Sequence, residues 1–410
     1  MLKTLLLFTA DFPFGSGETF LETEIAYLSK GFDSVRIISA NMQNEQTRIV
    51  PENCSVERIN LNLTSLQKIQ SLLGIFTEMY RSEKGLLNET YGLKMNDGIR
   101  KTMLVSLFRA KLVAEKAESI LQTVDKEDQL FFYSYWSDDV AIGLGMLQNK
   151  YPKIRTFSRI HRWDVYFEES AFAYLPYRSF LVNSISKIVS ISQDGIDYVN
   201  RTWKTEHPEK LVLSRLGVGN HVSFRLAENE RFTIVSCSNL IPVKRVDLLA
   251  QALVKLVDVP IKWIHFGDGV ERQNIEEILE NRSKNLLVEF KGRVPNNEIY
   301  SYYAEHKPDL FINVSSSEGV PVSIMEAMSF GIPVLATDAG GNNEIVTNEN
   351  GELLPLCISA SELAAKIKKF IELDQDQKVT VQQKSLETWK NRYHSETNYN
   401  DFIKIVHQLF

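Results

Sequence analysis

The sequence predicts an α/β protein built from two doubly wound domains, and three observations carry that prediction. The chain has 410 residues, enough for two domains of about 200 residues, each with its own core. Short apolar runs of strand length alternate with helical patterns from end to end. Several of these runs end in a glycine-rich or polar turn that opens onto a helix, as in sheets that bind ligands at their strand C-termini.

Composition narrows the class. Hydrophobic residues make up 44% and charged residues 24%, the balance of a soluble globular protein. The three cysteines, Cys54, Cys237 and Cys357, are too scattered for a disulfide framework or a metal site, and a reducing cytoplasm is the simplest home. Residues 1–220 hold 26 Lys+Arg and 26 Asp+Glu, leaving 20 and 26 for the remainder, so the acidic excess lies in the second half. A general nucleic-acid binder shows the opposite bias, and nucleic acid is not an expected partner. Asp11 and Pro13 interrupt the apolar start MLKTLLLFTA too early for a signal peptide or membrane span, which makes it the first buried strand.

In DFPFGSGETF, Gly15 and Gly17 precede a helix with apolar Phe20, Leu21, Ile25 and Leu28. Phe20 stands where a dinucleotide fingerprint needs its third glycine. The second strand, Val35-Arg36-Ile37-Ile38, ends without an acidic residue, so a nicotinamide cofactor is not expected. A plain strand–helix turn fits this loop as well as a ligand loop does.

Residues 62–122 show helical periodicity without clear strands. In Arg100–Lys116, apolar Met103, Leu104, Leu107, Phe108, Leu112 and Val113 lie among five cations and one anion, Glu115. A core-packed helix with a solvated face accounts for the pattern, and so does a basic helix over 99–116 lying on an anionic membrane. Leu130–Tyr135 and Ile154–Phe157 read as strands, the second with His161 and Asp164 at its mouth. That histidine is either structural or a group reaching a ligand crevice. SISKIVSIS and KLVLSRLGV complete the domain, and Gly217–Arg231 reads as a linker. The expected domains are therefore 1–216, 217–385 and a C-terminal segment, 386–410, whose aromatic face (Trp389, Tyr393, Tyr399, Phe402) returns to the first domain.

The second domain starts with strand, loop and helix in RFTIVSCSNLIPVKRVDLLAQAL. Lys244 and Arg245 precede the helix, where a solvated pair and a phosphate site share the same pattern. WIHFGDG places Gly267 and Asp268 in a turn, and VEFKGRV places Gly292 and Arg293 at a strand end. The Phe311–Val346 stretch supplies the fifth and sixth strands of a six-stranded domain. Leu310–Val314 is an apolar strand, and Ser315–Ser317 suit a helix N-cap. Pro321 sits near the first helical turn, Gly331 ends the helix, and Val334-Leu335-Ala336 is the next strand. Glu318 and Glu326 lie eight residues apart across the turn. With free N–H groups at Gly319–Ser323 they offer carboxylates for sugar hydroxyls and a cradle for a diphosphate; each glutamate alone also fits a solvated surface position. Asp374-Gln375-Asp376 lacks a preceding apolar strand and reads as a solvated turn, so no metal or other cofactor is expected.

The EGVP turn, the EAMSFGIPV helix and strand, and the ATDAGGNNEIV tail together resemble the E-x7-E signature of retaining glycosyltransferases of family 4, strongly over about 232–355. The resemblance implies the GT-B fold, two Rossmann-like domains facing across a cleft with the donor in the second. It implies that Glu318 contacts the transferred sugar, that Glu326 binds the ribose hydroxyls, and that backbone at Gly319, Val320, Pro321 and Val322 cradles the diphosphate. Lys244 stabilises that leaving group; where the family carries a second cation this chain has Asn239, and Arg245 is the candidate replacement. Gly267 and Asp268 count with the substrate-binding residues, and Arg293 and Val294 flank the base. His161 resembles the histidine that contacts the donor sugar from the first domain, and Gly17 lies in the loop beside the acceptor and donor phosphates.

The implied reaction is metal-independent, retaining transfer of a hexose from a UDP- or GDP-sugar to a glycan, lipid-linked or protein-linked acceptor in surface-polysaccharide or glycoconjugate synthesis. The diphosphate itself takes the acceptor proton. Two other expectations stand beside it: a non-catalytic partner that binds the nucleotide-sugar for a second transferase, and a nucleotide-sugar epimerase. The expected place is the cytoplasm, at the inner face of the membrane if the basic helix binds lipid.

Overall fold

Among the described residues the strands of both sheets are short and paired in parallel, so each must be followed by a segment long enough to return to the start of its neighbour. A computed structural model describes residues 2–15, 17–43, 45–124, 128–219 and 230–409. It divides into two compact units, Met1–Arg215 with Tyr399–Phe410, and Leu216–Asn398. Of the expected linker, residues 220–229 lie outside the described residues. The expected segment 386–410 is divided, because the boundary falls inside helix Ser395–His407.

In the first unit, strands β1 (Lys3–Thr9), β2 (Ser34–Ser39), β3 (Cys54–Arg58), β4 (Gln129–Ser134), β5 (Arg155–Ile160), β6 (Lys187–Ser190) and β7 (Leu211–Leu213) form one sheet in the order β3-β2-β1-β4-β5-β6-β7. The second unit repeats the scheme with β8 (Phe232–Cys237), β9 (Ile261–Phe266), β10 (Leu286–Gly292), β11 (Leu310–Asn313), β12 (Val334–Thr337) and β13 (Gly351–Leu354), ordered β10-β9-β8-β11-β12-β13. The order reverses between β1 and β4 and between β8 and β11. Such reversals open a crevice at the strand C-termini, because the flanking loops leave in opposite directions. Phe311–Val346 contains the fourth and fifth strands of its sheet rather than the fifth and sixth; the sixth is Gly351–Leu354.

The helix expected over Arg100–Lys116 runs from Asp97 to Leu121. Its apolar row is not free to meet a membrane: Met103, Leu104, Leu107 and Val113 are all buried in the first unit's core. Burial there removes from water the surface that would otherwise favour lipid. A basic helix lying on its own apolar face is therefore not what this segment forms. On the other flank of the sheet, Tyr399 stacks on Tyr27 with centroids 5.3 Å apart, and Phe402 packs on Tyr133 and Phe157. Beneath β5, the buried Arg159 pairs with Glu24 at 3.2 Å. That pair ties the helix Leu21–Gly31 to the strand that leads to His161.

Candidate functional site

The second unit's site starts from a divergence of two strands. β8 pairs with β9 over six residues but with β11 over only Leu310 and Phe311. Beyond that point the polar residues after β11 stand in the opening. Glu318 is 7% exposed, and three donors converge on its Oε1: Lys244 Nζ at 2.6 Å, Ser315 Oγ at 2.6 Å and Asn313 Nδ2 at 3.1 Å. A buried carboxylate needs such partners, since leaving one unpaired costs several kcal/mol. Ser315 was expected to serve in a helix N-cap, but the helix Val322–Ser329 starts later. Its N-cap is Pro321, with no side-chain cap. Helix N–H groups without a capping acceptor and with a positive dipole end favour an anion.

Two glycines fix the glutamate. Gly340 has φ +54° and Gly341 donates its N–H to Gly319 O at 2.8 Å. A Cβ at Gly340 would collide with the Glu318 carbonyl oxygen, and one at Gly341 would come within 2.6 Å of Gly319 O. The turn after β12 can lie on the Glu318–Gly319 backbone only because both side chains are missing.

Glu326 is 5% exposed and accepts from Tyr300 Oη at 2.8 Å and Asn296 Nδ2 at 3.2 Å. Burial pushes its carboxyl up to about 7, against a lowering by the Tyr300 hydrogen bond. Asn296 and Tyr300 were not among the expected site residues. Their spacing of four on helix Asn296–His306, which puts both on one face, was the signal available. Cys237, at the end of β8, has its thiol pushed up by burial, then by the charge of Glu326, with Lys244 acting in the opposite sense. One strand end thus stands within electrostatic reach of both charged groups.

Arg245 is the N-cap residue of helix Val246–Val254. It adopts the left-handed region, φ +47°, and its guanidinium donates to the carbonyls of Val314 (2.7 Å), Leu356 (2.7 Å) and Ser315 (3.2 Å). It braces the mouth of β11. Asn239, Asp268 and Arg293 are exposed, while Gly267 and Val294 are intermediate. Gly267 has φ +130°, and a Cβ there would collide with Ser238 O. Val320 and Pro321 are buried, and Gly319 and Val322 are partly exposed at the helix start. Asp374 caps helix Gln375–Arg392, its Oδ1 accepting from Gln377 N at 2.9 Å, so the D-x-D pattern is a helix start. Among the described residues, no group of three or more His, Cys, Asp or Glu could hold a metal ion.

The first unit has its own cluster at the mouths of β4 and β5. His161 is buried against Trp136 (4.4 Å) and Tyr135 (4.8 Å), and Trp136 packs on Trp163 at 5.0 Å. Both ring nitrogens of His161 are buried without a hydrogen-bond partner; the nearest acid oxygen, Asp164 Oδ2, is 3.8 Å from Nδ1. Burial alone would raise the Asp164 carboxyl. Interaction with His161 and the N–H groups of Ser137 and His161 outweigh that and hold it below its usual range. Gly17 donates its N–H to Asp11 Oδ2 at 2.8 Å, and a Cβ there would press on that oxygen. The loop's anchor was not foreseen. Glu18, at φ +54°, accepts from the N–H groups of Ala10, Asp11 and Phe12 at 2.6–2.8 Å and from Trp136 Nε1 at 2.5 Å. Close by is a cavity of about 670 Å³ whose lining includes Lys101, Arg109, Asp138, Trp163, Phe172 and Arg178. Its volume lies in the range of small-ligand pockets.

Set beside known proteins, residues 220–386 match the family model of group 1 glycosyl transferases. The chain is 30% identical over 132 residues, 31% of its length, to the GtfA subunit of a UDP-N-acetylglucosamine–peptide N-acetylglucosaminyltransferase of Streptococcus agalactiae, covering 25% of that protein. It is 34% identical over 176 residues, 42% of its length, to the O-antigen biosynthesis glycosyltransferase WbnH of Escherichia coli, covering 49%. The chain thus spans a quarter to half of these relatives. Anabaena Alr3699/HepE, solved with UDP and glucose, superposes over 100% of both chains with a TM-score of 0.65 at 17% identity. The fold is that of GT-B glycosyltransferases.

Proposed function

We propose that the protein is a retaining hexosyltransferase that takes a sugar from a nucleoside-diphosphate donor, UDP-linked by analogy with its relatives, and passes it to a glycan acceptor in polysaccharide or glycoconjugate synthesis. One observation carries this reading: the Lys244–Glu318 pair stands beside an uncapped helix N-terminus, with Glu326 about one turn along that helix. Negative charge builds on the diphosphate as the glycosidic bond breaks, and Lys244 with the N–H groups of Val322 and Ser323 would stabilise it. Glu318, fixed through Oε1, would orient the sugar. Glu326, close to half-protonated near neutrality, would bind the ribose hydroxyls as both acceptor and donor. His161 in the first unit would meet the sugar, and the neighbouring cavity, with Trp163 and Phe172 as stacking faces, would receive the acceptor. No metal enters this scheme. The diphosphate takes the proton of the attacking hydroxyl.

A second reading has its own support. Arg245 is held by three carbonyl oxygens, and if they keep it from the diphosphate, Lys244 would stand without a second cation, as in a subunit that binds donor without turning it over. A panel of UDP- and GDP-sugars separates the two. Nucleoside-diphosphate release without added metal, lost in Lys244→Ala, with the product's anomeric configuration matching the donor's by NMR, establishes the transferase. Donor binding with no release, acceptor glycan supplied, supports the silent subunit. A sugar isomer without free nucleotide indicates an epimerase.

A further inference from the structure

The helix Ser65–Ser71, closed at its start by a Thr64 capping box, runs directly into the 3-10 turn Leu72–Phe76. Along it Leu66, Ile69, Leu72, Leu73, Ile75 and Phe76 are 64, 65, 55, 66, 39 and 71% exposed. Six large apolar side chains on one ordered segment expose on the order of several hundred Å², the extent at which a patch marks a contact surface. The segment is seated on the first unit. Ser71 is buried, and Gly74 lies so near the helix Asp97–Leu121 that a Cβ would meet Leu104 at 2.9 Å and Leu107 at 3.2 Å.

The charges bordering this patch are mostly cationic: Lys68, Arg81, whose guanidinium donates to Phe76 O at 3.1 Å, Arg100 and Lys111 stand against the exposed Glu78 and Asp97. Residues 61–77 include Lys68 and no carboxylate. Arg100 and Lys111 are exposed and belong to the same helical row as Leu104 and Leu107, four residues before and four after. Arg100 shares its charge with exposed Asp97 at 3.1 Å; Lys68 and Lys111 make no ion pair among the described residues. An apolar strip edged by cations matches a bilayer interface, where acyl chains take the apolar groups and anionic headgroups the cations. A second copy of the same surface would set one excess of cations against another.

We infer that Leu66–Phe76 beds into an anionic lipid surface, with Lys68, Arg100 and Lys111 at headgroup depth. The contact is interfacial: among the described residues, no helix is long and apolar enough to cross a membrane. The same helix walls the cavity through Lys101, Thr102 and Arg109. If the cavity receives the acceptor, a reading that the lipid contact does not need, that acceptor would be lipid-linked.

Co-sedimentation tests the contact, using vesicles of phosphatidylcholine with and without phosphatidylglycerol. The full chain should pellet with the anionic vesicles, and Leu66→Gln/Leu73→Gln/Phe76→Ser should lower its partition about tenfold or more. Arg100→Gln/Lys111→Gln should weaken binding to the anionic vesicles only. Amide exchange on the unaltered protein, which needs no variant, should slow over 65–77 when those vesicles are added. Failure of the unaltered protein to bind, an unchanged partition in the triple variant, or unprotected amides would each overturn the inference. So would a concentration-dependent dimer that the triple variant abolishes without any vesicle binding. Donor turnover is not read in these measurements, so a failed transferase reading leaves them intact.

Discussion

Lys244 Nζ lies 2.6 Å from Glu318 Oε1, the oxygen that Ser315 and Asn313 also reach. The pair is mostly sheltered, with side chains 22% and 8% exposed. Each partner therefore keeps the other from standing unpaired in a poorly solvated place. Placing the cation on the carboxylate also holds it at the strand mouth, where the leaving diphosphate would need it.

Replacing Glu318 by Gln keeps the shape and removes the charge. Turnover should fall about 100-fold or more, the scale of losing one preorganised electrostatic group, while donor KM changes less. Steady-state release of nucleoside diphosphate measures both. An equal loss confined to KM would show that Glu318 only binds the donor.

Burial raises the Glu326 carboxyl from an ordinary value of 4.5 to about 7. Between those values the folded protein holds a proton that the unfolded chain releases, so stability falls as pH rises from about 4.5 through 7. The total is about 3 kcal/mol, from 1.36 kcal/mol per pKa unit. Urea denaturation at several pH values should show Glu326→Gln gaining on the unaltered protein across this window. Since the Tyr300 hydrogen bond lowers the pKa, Tyr300→Phe should move the window upward.

Gly340→Ala should cost roughly 2 kcal/mol or more, because φ +54° and the Glu318 carbonyl both oppose a Cβ. Thermal melting would show the loss, and donor affinity by titration calorimetry should fall with it as the Glu318–Gly319 backbone is displaced. Unchanged affinity in the folded variant would show that donor binding does not depend on this backbone placement.

His161→Phe distinguishes structure from function at the first unit's cluster. Neither ring nitrogen makes a hydrogen bond, the variant gives up the 3.8 Å approach to Asp164 while that carboxylate keeps the N–H groups of Ser137 and His161, and an aromatic ring still fills the space against Trp136 and Tyr135. Stability should change by less than about 1 kcal/mol. Turnover should fall about 100-fold or more if the imidazole meets the sugar. A stable variant with full turnover would make the histidine a packing residue.

Local patterns in the sequence carried most of the fold. Apolar runs punctuated by glycine and proline located strands such as β11 and β12 and the helix between them, because burial on both sheet faces and the stop at Gly331 are local demands. The motif in that stretch located Glu318 and Glu326. The shelter of Glu326 by Asn296 and Tyr300, and the bracing of β11 by Arg245, join residues up to 111 positions apart. No periodicity links such residues. Likewise, the basic helix was legible as amphipathic, but which apolar surface stays in water was not. Packing buried Met103, Leu104 and Leu107 and left Leu66–Phe76 outside, since burial depends on what the rest of the chain brings to each face, and only the tertiary structure decides that.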